Sequence, residues 1–174
     1  MRRALPALGA LSVVLFLPSM AAAAGLNWRT WDRGLSEAVA AGRPVLVDVY
    51  TDWCGWCKRM DRDVYARQDV QDYLARKFVT VKLDAESNQA ARYETRTWTS
   101  RTLARRLGVT GYPTTLFLDS KGGHPEIVPG YLPPDRFLLL LRYFGDGHAA
   151  RGEAFGDFER KAQGGGPGRD RTRH

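Results

Sequence analysis

The most constraining feature of the chain is the run Val45-Leu46-Val47-Asp48-Val49-Tyr50, almost unbroken in apolar side chains and rich in β-branched ones. Successive side chains of a strand point to opposite faces, so a run apolar at nearly every position is buried on both. Such a strand belongs in a parallel or mixed sheet with helices above and below it. The sequence therefore predicts a three-layer α/β domain.

The patterns on either side of this run alternate in type. Leu35, Ala38 and Val39 fall at helical spacing ahead of Gly42, a residue suited to ending a helix, which predicts a first helix within Leu26 to Gly42. Lys58, Met60, Asp61 and Val64 suit a helix running from Cys54. Val70, Tyr73, Leu74 and Phe78 continue that pattern after a break near Ala66 to Gln68. Phe78 to Leu83 reads as the next strand. Asp84 to Trp98 is polar, arginine-rich and without clear period, and is read as a loop with some helix. Leu103, Ala104 and Leu107 mark a short helix closed by Gly108. Thr114 to Leu118 is a second apolar strand, Ser120 to Gly123 a turn, and Glu126 to Val128 a short antiparallel return strand. Pro133-Pro134 opens a last helix that runs through Phe144.

Residues 1–24 have the make-up of a secretory signal: Arg2 and Arg3, an apolar stretch from Ala4 to Leu17, then small residues at Ala22 and Ala24. The stretch is shorter than the roughly 20 residues that a bilayer span needs, and cleavage is expected near Ala24-Gly25. No cysteine at the cleavage region offers a site for lipid, so no stable membrane insertion is expected after cleavage. Residues 25–146 are expected to form one domain. Residues 147–162 form an extension of undetermined role, in which Phe155 and Phe158 are expected to pack back as a short helix. Residues 163–174 are glycine- and arginine-rich and are expected to be a disordered basic tail. The formal charge of +7 comes mostly from the two ends. Without Arg2, Arg3, Lys161, Arg169, Arg171, Arg173 and Asp170, 20 basic and 18 acidic residues remain, which argues against a nucleic-acid partner.

The chain has two cysteines, in Trp53-Cys54-Gly55-Trp56-Cys57-Lys58, directly after the buried strand. A purely structural disulfide is a poor reading, because closing so short a loop yields only about 2 kcal/mol in the chain-entropy model. A c-type haem site needs histidine after the second cysteine, where Lys58 stands. A zinc site needs two further ligands, and His124, His148 and His174 lie at no partner spacing. A dithiolate Cu(I) carrier stays open, with Met60 as the one soft side chain close by. Redox chemistry needs no cofactor and has a mechanism. A thiolate at a helix N-terminus is stabilised by unpaired amides and the helix dipole, which makes Cys54 the attacking nucleophile. Cys57, one turn on and less exposed, is then the resolving thiol. Gly55 lets a substrate backbone approach, and Trp53 and Trp56 either frame an apolar rim or simply pack.

Together with Gly111-Tyr112-Pro113-Thr114 ahead of a strand, these motifs resemble the thioredoxin superfamily from about Leu35 to Phe144. The similarity is greatest to bacterial periplasmic thioredoxin-like proteins and to the C-terminal thioredoxin-like domain of the transmembrane disulfide reductase DsbD. The resemblance implies a thioredoxin fold, a central mixed β-sheet covered by helices on both faces. It implies a cis peptide bond at Pro113 and a substrate strand pairing at Tyr112. It makes Asp48, which the apolar neighbours Val47 and Val49 keep from water, the buried acid that assists proton transfer at the resolving cysteine. Lys82 matches a lysine near that acid, and Asp61 a second acid that shifts the thiol pKa values, with a solvated helix charge as the alternative for Asp61. Trp56 replaces the proline of the cytosolic active-site loop and so adds an amide near the sulfurs, which favours an oxidising pair, while Asp48 and Asp61 act in the opposite sense. The segment from Asp84 to Trp98 is longer than the family needs. It reads as a surface excursion, with Arg92, Tyr93, Arg96 and Trp98 as candidate partner contacts. The expected function is a monomeric periplasmic reductase of disulfides in exported proteins, fed by a transmembrane electron donor. A disulfide oxidase or isomerase is the alternative within the same chemistry, although isomerases of this superfamily carry an added dimerisation segment for which the stretch before the first helix leaves no room.

Overall fold

A computed structural model describes residues 25–164, so the expected signal at 1–24 and the tail beyond residue 164 lie outside the described residues. In chain order the elements are α1 (Trp31–Ala41), β1 (Val45–Tyr50), α2 (Gly55–Met60), a π-helical turn (Asp61–Tyr65), α3 (Gln68–Lys77), β2 (Val79–Asp84), β3 (Ala90–Tyr93), β4 (Arg96–Thr99), α4 (Ser100–Arg106), β5 (Thr114–Leu118), β6 (Glu126–Pro129), α5 (Pro134–Gly145), a 3-10 turn (Ala149–Arg151) and α6 (Phe155–Gly164).

β1 is an interior strand of a four-stranded sheet ordered β2-β1-β5-β6. It runs parallel to β2 and antiparallel to β5, and β6 closes the far edge antiparallel to β5. The pleat divides its side chains between two cores. Val45, Val47 and Val49 join Val81, Leu83 and Leu116 under Ala38 of α1 and Leu103 of α4. Leu46 joins Phe117 under Met60, Val64, Leu74 and Phe137, from the α2-to-α3 segment and α5. Helices thus cover both faces of a mixed sheet, the thioredoxin fold. Asp48 takes the parity of Leu46 and points to the face that carries the cysteines.

Two glycines fix α1 against this sheet. Gly42 ends the helix in the left-handed region, φ 62°, where its amide caps the carbonyls of Ala38 and Val39. Gly34 lets α1 lie directly on β2, since a Cβ there would come within 2.2 Å of Val81 Cγ2.

Three local expectations are corrected. The segment read as a loop with some helix contains a hairpin, β3 and β4, turning at Glu94 with a φ of 54°. Its cause is tertiary. Trp31 Nε1 donates to the Arg92 carbonyl at 2.7 Å, and the Arg92 amide donates to Asp32 Oδ1 at 2.7 Å, so the first turn of α1 holds the strand. Ala91, Tyr93 and Trp98 pack on the main core, which leaves only Arg92 and Arg96 exposed among the four candidate partner contacts. The helix after Cys54 changes to a π turn at Asp61, which lets the adjacent Val64 and Tyr65 both turn inward. Finally, α6 includes Gln163 and Gly164, the first two residues of the expected disordered tail. Phe155 and Phe158 pack on Tyr143 at ring distances of 5.2 and 5.6 Å, in a helix longer than the short one expected. Among the described residues no helix is long and apolar enough to cross a membrane.

The contact at Gly34 gives a direct test of how α1 seats. Overpacking a tight contact costs about 1–3 kcal/mol, more than alanine gains by its helix propensity. Gly34→Ala is expected to lower the urea midpoint, and Val81→Ala in the same chain to recover part of the loss; an unchanged midpoint in the single variant would contradict the packing described.

Candidate active site

The turn leaving β1 delivers Cys54 to the N-terminus of α2. The Cys54 amide donates to the Thr51 carbonyl at 3.2 Å, and Cys54 is the N-cap residue, its Sγ accepting from the Cys57 amide at 3.0 Å. Cys54 and Cys57 are joined in a disulfide, with their Cα atoms 5.3 Å apart. At 5% and 3% exposure the two differ little, so in the disulfide form burial hardly separates the nucleophile from the resolving position. Their difference lies in the backbone: Cys54 Sγ sits at the helix end, and Cys57 lies within the first turn.

The rim is aromatic. Trp53 and Trp56 are 66% and 54% exposed, so neither is a core residue. Trp53 meets Tyr112 edge to face at 6.0 Å, and Trp56 meets Tyr131 at 5.5 Å. A side chain at Gly55 would meet nothing within 4 Å, so the surface beside the sulfurs is open. Thr114 is the register partner of Val49, which places Pro113 at the end of β5 where β1 hands over to the cysteine loop. Pro113 is buried, and the Tyr112–Pro113 peptide bond is cis.

The same face of the sheet carries a charged cluster. Asp48 is 1% exposed and is the register partner of Lys82 on β2. Lys82 Nζ lies 2.6 Å from Asp48 Oδ2 and donates to Asp61 Oδ1, also at 2.6 Å. Three rings surround the ammonium, those of Tyr50 at 4.9 Å, Trp28 at 5.0 Å and Tyr65 at 5.6 Å. Asp48 Oδ1 has no hydrogen-bond partner among the described residues. Burial raises the Asp48 pKa above the ordinary carboxylate value, with Lys82 opposing. Burial also works to lower the Lys82 pKa, but Asp48 and Asp61 together outweigh it and hold the ammonium above its usual value. A half-exposed acid, a lysine and a buried acid thus lead from solvent to the sheet face under α2. Burial, and then the Asp48 charge, keep the Tyr65 phenol protonated well above its ordinary range.

The fold therefore brings Asp48, Lys82 and Asp61 into one hydrogen-bonded cluster on the cysteine face, and Trp53 against Tyr112 at the rim. Five further residues escaped sequence reasoning. Tyr50 carried a signal, since it shares a strand face with Asp48 two positions on. Arg59 carried one as well, standing three residues past Trp56 and four before Asp63, whereas Trp28, Tyr65 and Tyr131 did not, because each arrives through a tertiary contact or the π turn. Met60, the soft ligand closest to the cysteines in sequence, is buried against Leu46 and Val64. Among the described residues no group of three or more histidine, cysteine, aspartate or glutamate side chains is placed to hold a metal. The chemistry available to a disulfide at a helix N-terminus, on the sheet face that holds a buried acid, is thiol–disulfide exchange.

Comparison with known proteins agrees with this geometry. The profile of the thioredoxin-like domain matches residues 31–145. The thiol:disulfide interchange protein DsbD of Ralstonia nicotianae is 34% identical over 112 residues, which cover 64% of this chain and 17% of that protein. The chain thus spans less than a fifth of that relative's length. The solution structure of a thioredoxin from Thermus thermophilus superposes with a TM-score of 0.62 at 29% identity, covering 75% of this chain and 95% of that one. A thioredoxin-fold protein from Helicobacter pylori superposes with a TM-score of 0.62 at 20% identity, covering 71% and 82%, and attests the fold alone. From profile, fold and disulfide together, the chain belongs to the thioredoxin-like domain family, with Cys54 and Cys57 as its disulfide-bonded cysteine pair.

Proposed function

We propose that the protein is exported and works as a reductase, passing two electrons from its Cys54/Cys57 dithiol to disulfides of exported proteins. The observation that carries this reading is the position of the Cys54–Cys57 disulfide, at the N-terminus of a helix that covers the sheet face to which the buried Asp48 points. The Cys54 thiolate attacks one sulfur of the substrate disulfide. A mixed disulfide forms, and the other substrate sulfur leaves as a thiolate and takes a proton. Cys57 then loses its proton to Asp48, whose pKa burial raises above the ordinary carboxylate value and so makes it a stronger base than a solvated aspartate. The Cys57 thiolate attacks Cys54 Sγ, closes the internal disulfide and expels the second substrate sulfur. Trp53, Trp56, Gly55, Tyr112 and Pro113 border the path of the incoming chain.

Two features support the reducing direction. Negative charge under the pair makes a thiolate costlier, and a pair with poorly stabilised thiolates gives up its electrons more readily. Among the described residues the amide donating to Cys54 Sγ is that of Cys57, a bond that proline at position 56 would leave in place. Trp56 therefore adds no donor to that sulfur in the disulfide form, and the acids dominate. The leader-like residues 1–24 support export to the periplasm, and an oxidising compartment requires an electron source. By likeness to DsbD, that source is a membrane-embedded donor.

With Cys57→Ser the second step is blocked. Cells expressing that variant are expected to accumulate mixed disulfides through Cys54, visible on non-reducing gels and lost on reduction; recovery of none would contradict the exchange mechanism. Asp48→Asn is expected to slow resolution of the mixed disulfide about 100-fold at neutral pH, with little effect on its formation, in stopped-flow thiol kinetics. The same variant carries a stability signature. Asp48 has a folded pKa above its unfolded one, so the parent loses stability as pH rises through the folded value. Lys82 retains Asp61 in the variant. In urea, oxidised Asp48→Asn is therefore expected to gain on the parent at pH 8 and to lose that advantage towards pH 4, and the opposite trend would overturn the assignment of a raised pKa.

A further inference from the structure

One fixed cation at the rim has no part in the exchange steps. Arg59 lies two residues past Cys57. Its guanidinium carbon sits 5.1 Å from the Trp56 ring centroid and 5.4 Å from that of Tyr131. Its Nε donates to Asp63 Oδ2 at 3.1 Å. Two rings and a carboxylate thus hold the side chain beside the disulfide, yet it is 51% exposed. Its two terminal nitrogens donate to nothing among the described residues. Asp63 does not neutralise the patch, since it also meets Arg62 Nε at 3.3 Å, and Lys58 stands exposed one position before Arg59. The helix that carries the cysteines therefore presents net positive charge on a rigid aromatic ledge. A guanidinium bound through Nε keeps a donor fork in a fixed plane, and that fork fits a carboxylate.

We infer that the Trp56–Arg59–Tyr131 ledge selects substrate polypeptides that carry an aspartate or glutamate close in sequence to the reacting disulfide. This rests on the exchange reading above and names its substrate class. The exposed faces of Trp56 and Tyr131 take the apolar part of the incoming chain, and Arg59 takes the acidic side chain. A lysine in the same place meets like charge and is disfavoured. Arg59 acts on binding and orientation, so its signature is discrimination among substrates.

The test uses the reduced protein and synthetic peptides with one internal disulfide, in which glutamate, glutamine or lysine occupies in turn each of the three positions on either side of a cysteine. In at least one position glutamate is expected to be reduced about 3- to 10-fold faster than glutamine in kcat/KM, with lysine slower than both. That preference is expected to shrink between about 0.02 and 0.3 M salt, a readout that needs no variant. In Arg59→Gln the glutamate-to-glutamine ratio is expected to fall within twofold of one, and in Arg59→Glu the order to reverse. Taking ratios within each variant cancels any change in thiol reactivity. Equal rates for all three peptides at every position, or a preference that survives in Arg59→Gln, would overturn the inference while leaving the exchange chemistry in place. Failure of the parent to reduce any peptide would overturn the exchange reading and this inference with it.

Discussion

Asp48 is withdrawn from water in the middle of a strand buried on both faces, and it is met there by Lys82, its register partner on β2. A lone carboxylate in that position would cost several kcal/mol, so the pairing of β1 with β2 has to bring a cation to it. Much of the surrounding structure follows from keeping that cation in place. The segment before α1 bridges to β2 at Arg29 and Val81 and brings Trp28 over the ammonium. The π turn brings Tyr65 in from one side, and Asp61 at its start closes the cluster towards solvent. The cluster is incompletely satisfied, with Asp48 Oδ1 left without a hydrogen-bond partner among the described residues. Stability alone does not call for such an arrangement, which fits a proton-transfer role for the acid.

The rim above follows a different logic. The sulfurs are buried while the two flanking tryptophans are exposed, so the apolar surface offered to a partner is larger than the reactive atoms themselves. Each tryptophan is braced by a tyrosine from another part of the chain, Tyr112 ahead of β5 and Tyr131 ahead of α5. Bracing lowers the conformational entropy lost when a substrate docks, which is how a shallow surface gains affinity.

The sequence made some of this legible and hid the rest for identifiable reasons. The unbroken apolar run of β1 called for a mixed sheet with helices on both faces, and the fold has that form. Gly42 marked the end of α1 because a left-handed residue is needed there. The β3–β4 hairpin was invisible because its strands are four residues long and outwardly polar, and their anchoring comes from Trp31 and Asp32 some sixty positions away. The π turn leaves no trace in an apolar pattern read at α-helical spacing. At the site, Cys54, Cys57, Asp48 and Lys82 stood out by motif and resemblance, whereas the aromatic cage and the meeting of Tyr131 with Arg59 depend on contacts between segments that no local pattern connects.

The central claim is that the acids on the cysteine face outweigh the helix N-terminus and set this pair to donate electrons. Its most direct test is the reduction potential of the protein lacking residues 1–24, equilibrated against glutathione buffers. A value near about −270 mV, that of thioredoxin, is the result this account predicts, and a value near about −120 mV, that of the strong oxidant DsbA, would contradict it.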